Sequence, residues 1–345
     1  MQDGPRAAPA ARPAPSPAEG TEPLAVKLRK ARPALQAAPD HETYRASPYH
    51  PSEVIERIHS LGQARAWNEL CQELSSLPDE DLELFEDEIQ RPEHARAMPC
   101  ARTLSWRVDA YWRAAKIRFA ATHPSPKLER LDTLEMPVDV ARHDVITGSH
   151  LPDGTVALTF DDGPNPTRTP AVLTILAAAG VRATFFEIGR NAANYPEVSK
   201  QVSAAGHHVG SHTFSHPHLP SVTEAHAESE INAGAASVAL AVGSPLDRLA
   251  FFRFPYGAKT PTEQSFVARE GRTTFFWNMD SEDWRLRDPH ALFRKILAEL
   301  DREHHGIILF HDIHEQTVIV LPSVLAELAA RHVKVVFFTP RFPPG

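Results

Sequence analysis

The chain has 345 residues, a net charge of −8 and no long basic run. That charge balance excludes a nucleic-acid partner and repels anionic lipid, and no apolar run approaches the length of a transmembrane segment. The length allows one barrel-sized domain plus an extra module.

Residues 1–43 are dominated by Ala, Pro and Arg, as in Ala7-Ala8-Pro9-Ala10-Ala11-Arg12-Pro13. Pro at this density works against helix and sheet alike, so a disordered linker is expected. The N-terminus lacks the apolar core of a signal peptide, which fits either a chain that stays inside or a mature form whose signal has been removed. Residues 44–122 read as a small module of roughly three helices. Trp67, Leu70, Cys71 and Leu74 share one face at helical spacing, as do Leu104, Val108, Tyr111 and Ala115, and Leu82, Phe85 and Ile89 fit a helix between them. Its aromatic residues suit buried helix packing better than an exposed binding face.

Residues 123–345 form the third segment, and from about Val138 apolar strands alternate with helices. Helices are expected at 169–179 and 196–205, stopped by Gly180 and Gly206, and at 289–303 and 321–331. Strands are expected at 183–188, 307–310 and 333–338. Such alternation means an α/β fold with a parallel sheet, open or closed.

Polar clusters sit at the ends of these strands. Thr159-Phe160-Asp161-Asp162-Gly163-Pro164 follows the apolar Val156-Ala157-Leu158. Two adjacent carboxylates there repel each other, and a bound metal resolves the conflict if one Asp ligates and the other stays free as a base. An ordinary Asp-Asp-Gly turn explains the run about as well when it is taken alone. Some fifty residues on comes Ser211-His212-Thr213-Phe214-Ser215-His216-Pro217-His218. One helical turn would place His212 and His216 on one side, and Pro217 places the second where a short turn ends. Asp with two His suits zinc or a similar divalent ion. The chain has 19 His, however, and His208 with His212 makes a rival pair that spacing does not eliminate. Arg253-Phe254-Pro255-Tyr256-Gly257, Asp280-Ser281-Glu282-Asp283-Trp284 and Leu309-Phe310-His311-Asp312 each follow a further apolar stretch. Singly they are a surface ion pair, a core Trp and a core His. Together they recur where α/β barrels assemble their sites.

The order TFDDGP, HTFSH, RFPYG, DSEDW and LFHD resembles the five motifs of carbohydrate esterase family 4, the polysaccharide deacetylases or NodB homology family. The resemblance runs from about Val138 to Thr339 with no departure at a motif position. It implies an irregular (β/α) barrel of about seven parallel strands, preceded here by the helical module and the N-terminal linker. It also implies the roles of the site residues. Asp162, His212 and His216 would hold one divalent metal, Zn first, with Co, Ni or Mn as alternatives. Asp161 would be the catalytic base, held by Arg253. The Tyr256 backbone N–H would help to form the oxyanion hole. Asp283 would orient His311, the general acid, and Trp284, Leu309 and Pro255 would line the substrate pocket.

The function implied is metal-dependent removal of N-acetyl groups from an N-acetylglucosamine glycan. The stretch from His311 to Thr317 looks most like bacterial peptidoglycan deacetylases. Chitooligosaccharide, poly-N-acetylglucosamine and acetylxylan are the alternative substrates, and an inactive glycan-binding or scaffold protein is the alternative of another class. The family acts on envelope or extracellular glycans, so an exported, periplasmic or envelope location is expected. In an oxidising compartment Cys71 and Cys100, the chain's two cysteines, are expected to pair.

Overall fold

The computed structural model describes residues 64–90, 92–124 and 126–343. The linker expected over residues 1–43, and the start of the helical module over residues 44–63, lie outside the described residues. The described chain falls into two compact units, divided between Ser105 and Trp106.

The first unit is helical. Helix α1 (Ala64–Ser76) buries Trp67, Leu70, Cys71 and Leu74 as its spacing predicts. The single middle helix expected from Leu82, Phe85 and Ile89 is instead a chain of short pieces. Asp79–Leu82, a 3₁₀ turn over Glu83–Phe85, Glu86–Gln90 and Pro92–Ala97 follow one another, with the three apolar side chains fully buried. Pro78 precedes the first piece, and Asp79, Glu80 and Asp81 fill its first turn, where carboxylates complement the helix dipole. Cys71 and Cys100 are joined by a disulfide, S–S 2.09 Å, which ties α1 to the residue before helix α2 (Ala101–Thr122). Along α2, whose residues from Trp106 on belong to the second unit, the buried positions are Ala101, Leu104, Val108, Trp112, Ala115 and Phe119. Trp112 takes the inward place expected of Tyr111, whose ring is half-buried beside it.

The second unit is an α/β fold whose ten strands are joined entirely by parallel ladders. The strands are β1 (Thr133–Asp139), β2 (Val145–Ile146), β3 (Thr155–Asp161), β4 (Thr184–Glu187), β5 (His208–Ser211), β6 (Phe251–Phe252), β7 (Thr273–Phe275), β8 (Met279–Asp280), β9 (Gly306–His311) and β10 (Lys334–Arg341). Seven of them run in the order β8-β9-β3-β4-β5-β6-β7. No ladder joins β7 to β8 among the described residues, and β1, β10 and β2 attach outside this path, so the barrel is irregular. Every residue of β3 and β9 is buried, as expected of strands covered on both faces. One apolar cluster joins Phe186, Phe251, Phe275, Ile307 and Phe338 from five of the strands.

The helices between the strands are α3 (Arg168–Ala179), α4 (Gly189–Asn194), α5 (Pro196–Ala204), α6 (Glu224–Val242), α7 (Pro261–Arg269), α8 (Pro289–Glu303) and α9 (Glu315–Ala330). Helix α9 begins six residues before the expected start at Leu321 and carries Pro322 in its interior. Pro normally opens a helix, which is why the sequence suggests a start there. The apolar face continues across it, because Ile319, Val320, Leu321, Val324, Leu325 and Leu328 are all buried.

Candidate active site

The parallel ladders bring five strand ends together. Asp161 closes β3 and is in register with His311, which closes β9. His212 follows β5, Arg253 follows β6, and Asp283 lies just past β8. The carboxyl ends of parallel strands are where loops can present side chains over a rigid floor.

Asp162 has φ of +73°, a left-handed conformation uncommon for a residue with a side chain, so the chain turns sharply between the two aspartates. Its Oδ1 lies 3.5 Å from His212 Nε2 and 3.3 Å from His216 Nε2. Ligand atoms of these three residues lie within 4.8 Å of one another. Donors held about 2.1 Å from a tetrahedral ion stand roughly 3.4 Å apart, so the residues fit a divalent cation. Asp162 Oδ1 is buried and has no hydrogen-bond partner among the described residues, which also suits an atom that ligates a cation. His212 Nδ1 lies 2.8 Å from the Arg253 carbonyl, which can only accept, so Nδ1 carries the proton and Nε2 is left as the donor atom for a metal. Burial lowers the His212 pKa to about 4 and keeps the ring neutral.

The rival His208 is excluded by the strand boundary. It opens β5, four residues before His212, and packs against Phe251 with ring centroids 4.2 Å apart. Four residues of strand span about 13 Å, so one strand cannot deliver both rings to one site. Nor do His212 and His216 share a helical turn. The segment between them is a loop in which Thr213 and His216 have φ of +65° and +64°.

Arg253 is fully buried and donates to Asp161 Oδ1 at 2.7 Å, to Thr159 Oγ1 at 2.9 Å and to the Phe276 carbonyl at 3.2 Å. Its guanidinium lies over the Phe186 ring, 4.3 Å from the centroid. Burial pushes the Asp161 carboxyl above its usual range, while Arg253 and His311 pull the other way.

His311 Nδ1 lies 2.7 Å from Asp283 Oδ1, and its backbone N–H donates to Oδ2 at 2.8 Å. Burial by itself would lower the His311 pKa. The Asp283 carboxylate, aided by Asp162 and Asp161, overrides it and pushes the pKa up to about 10. The first turn of α9 fixes this carboxylate in turn. Thr317 Oγ1 donates to Asp283 Oδ2 at 2.6 Å, and Gln316 Nε2 donates to its carbonyl at 2.7 Å. Tyr256, in the tight turn Pro255–Gly257 at φ of +60°, places its hydroxyl 3.1 Å from His216 Nδ1. Trp284, Leu309 and Pro255 are buried, on the loop after β8, on β9 and in the turn after β6.

Gln316, Thr317 and Thr159 are absent from the sequence-derived set. A polar pair opening an otherwise apolar helix was the one available signal for the first two.

Residues 148–274 match the family model described as polysaccharide deacetylase. The chain is 38% identical over 159 residues to a chitooligosaccharide deacetylase of Azorhizobium caulinodans, an alignment covering 46% of this chain and 73% of that protein. It belongs to the polysaccharide deacetylase family. A peptidoglycan-N-acetylglucosamine deacetylase of Listeria monocytogenes is 34% identical over 181 residues, which is 51% of this chain and 36% of the longer Listeria protein. Among solved structures, a peptidoglycan deacetylase of Bdellovibrio bacteriovorus superposes with a TM-score of 0.81 at 28% identity, covering 93% of this chain and 96% of that one. That match extends well beyond the barrel, whereas the Azorhizobium alignment spans less than half of the chain.

Proposed function

We propose that this polysaccharide deacetylase removes N-acetyl groups from N-acetylglucosamine units of peptidoglycan. The observation that carries the reading is the buried, unpartnered Asp162 Oδ1 facing two histidine nitrogens, flanked by a separately held carboxylate and a separately held imidazole. Asp162, His212 and His216 would hold the metal, and one carboxylate with two imidazoles suits Zn, with Co, Ni or Mn as substitutes. When bound, the cation supplies Lewis-acid polarisation of the amide carbonyl and acidifies the attacking water. Asp161, fixed by Arg253, takes the proton from that water. The Tyr256 N–H donates to the oxyanion that develops on the carbonyl oxygen. His311, kept cationic by Asp283, gives its proton to the departing amine, which leaves poorly as an anion. Trp284, Leu309 and Pro255 wall the acetyl group and exclude bulk water.

The peptidoglycan assignment draws on the near-complete match to the Bdellovibrio enzyme, and the chitooligosaccharide alternative on the Azorhizobium relative. The Cys71–Cys100 disulfide supports an exported, envelope location, because such bonds persist in oxidising compartments. No helix among the described residues is long and apolar enough to cross a membrane. Residues 44–122 act in this reading as an accessory module that binds glycan or an envelope protein.

Acetate release should be measured on purified peptidoglycan, chitooligosaccharides and acetylxylan, each with and without chelator. Chelator-sensitive release that is fastest on peptidoglycan is expected. Faster release from chitooligosaccharides would move the substrate assignment, and no release from any of the three would leave a glycan-binding or scaffold protein.

A further inference from the structure

Helix α6 lies outside the five motifs, yet one of its side chains reaches the loop that carries His216. Glu230 is buried, and its carboxylate is committed entirely to that loop. Oε2 accepts from the backbone N–H of Phe214 at 3.1 Å and of Ser215 at 2.8 Å, and Oε1 accepts from Ser215 Oγ at 2.8 Å. No cation pairs with it in these bonds; the acceptor is charged and the donors are neutral, and such bonds are roughly twice as strong as neutral ones.

The loop has reason to need this clamp. Thr213 and His216 both hold left-handed φ values, a conformation that costs on the order of 1–3 kcal/mol per residue unless the surroundings impose it. The surroundings here converge from several sides. The Thr213 carbonyl accepts from the Gly189 N–H at 2.9 Å, and the Phe214 carbonyl accepts from the Arg190 N–H at 2.9 Å. The His216 N–H donates to Thr213 Oγ1 at 3.1 Å. Gly234, one turn along α6 from Glu230, lies so close to Thr213 that an added Cβ would stand 2.3 Å from its carbonyl carbon. Helix and loop therefore meet backbone to backbone, and among the described residues it is the Glu230 carboxylate that caps the two successive N–H groups between Thr213 and His216.

From this we infer that Glu230 is a positioning residue for the metal site, acting through the loop backbone to hold His216 Nε2 opposite Asp162. The inference rests on the metal reading given above. The Glu230 bonds go to Phe214 and Ser215, the two residues between Thr213 and His216. Its effect is to remove the conformational freedom that His216 would otherwise lose on ligation, so that removing the clamp weakens metal binding before it alters chemistry.

The test is metal affinity of the apo full-length protein, titrated with Zn²⁺ against a chromophoric chelator, with circular dichroism and a melting curve for each variant. Glu230→Asp keeps the charge but is one methylene too short to reach both N–H groups, and should lose about 10- to 100-fold in affinity. Glu230→Gln presents its carbonyl oxygen to the two N–H groups and its amide to Ser215 Oγ, and should recover affinity to within about threefold. Val238→Ala, a buried change about two turns further along the same helix, should lower the melting temperature and leave affinity unchanged. Ser215→Ala removes one bond of three and should show a partial loss, which keeps the test decisive if Glu230→Asp fails to fold. Wild-type affinity in Glu230→Asp, or in Ser215→Ala should that variant be the one available, would overturn the inference, as would an equal loss in Val238→Ala. His216→Ala separates the two levels. If it binds Zn²⁺ as the wild type does, the metal reading itself fails; if it loses binding while the Glu230 variants keep it, only the positioning role fails.

Discussion

Two histidines at the site illustrate how one residue type is put to opposite uses. His212 and His311 are both buried at strand ends, and both bring Nδ1 to an oxygen at nearly the same distance, 2.8 Å and 2.7 Å. For His212 that oxygen is the neutral carbonyl of Arg253, and burial takes its pKa down to about 4. For His311 it is the Asp283 carboxylate, which overrides the same burial cost and takes the pKa up to about 10. The difference shows that burial alone does not set a histidine's protonation state. The charge on the Nδ1 partner does, leaving a lone pair on one ring and a transferable proton on the other.

The largest effect is expected on the neutral side of this comparison. Asp162→Ala, His212→Ala and His216→Ala should each lose bound metal and reduce acetate release to background, checked by elemental analysis beside turnover. Metal retained in any of them would remove that residue from the ligand set.

Next in size is Asp161→Asn, which separates base from ligand. It should keep its metal and lose about 10²- to 10⁴-fold in turnover, the usual worth of a positioned proton acceptor. The division of labour between the adjacent aspartates is falsified if this variant loses metal as fully as His212→Ala does.

The cationic side is sharpened by pH. A raised pKa means that His311 holds its proton below that value and gives up activity as pH rises through it, so His311 should set the alkaline limb of the profile. Asp283→Asn removes the charge that overrides burial, and the alkaline limb should move to lower pH. An unmoved limb in that variant would uncouple Asp283 from His311.

The smallest effect on catalysis is expected far along the chain from both histidines. Replacing Cys71 and Cys100 together by Ser should cost about 3 kcal/mol of stability in denaturant unfolding, from the freed loop, and leave turnover unchanged. A matching fall in turnover would show that the helical region contributes to the reaction.

The strand ends were legible because their signal is local: an apolar run followed at once by Asp161, His311 or Arg253. Helices α3, α5 and α8 were legible for the same reason, since a stop signal or an opening Pro marks their ends. Helix α9 was misplaced because Pro322 imitates a start, and only packing of the flanking apolar residues shows that the helix runs through it. Helix α6 carries few large apolar residues and went unread, and Glu230 went with it. The choice of His212 over His208 was open from spacing, because equal separations in sequence become different places once a strand boundary falls between them.

By itself, the sequence determined the alternating α/β order, the polar clusters that close the strands and the residue types a metal site and an acid–base pair require. Tertiary structure alone decided which atoms face one another. Asp161 meets Arg253 across 92 residues and His311 meets Asp283 across 28, and those meetings follow from parallel register and loop geometry rather than from any local pattern. Protonation was decided there too, because the field at an imidazole depends on what folding places against it.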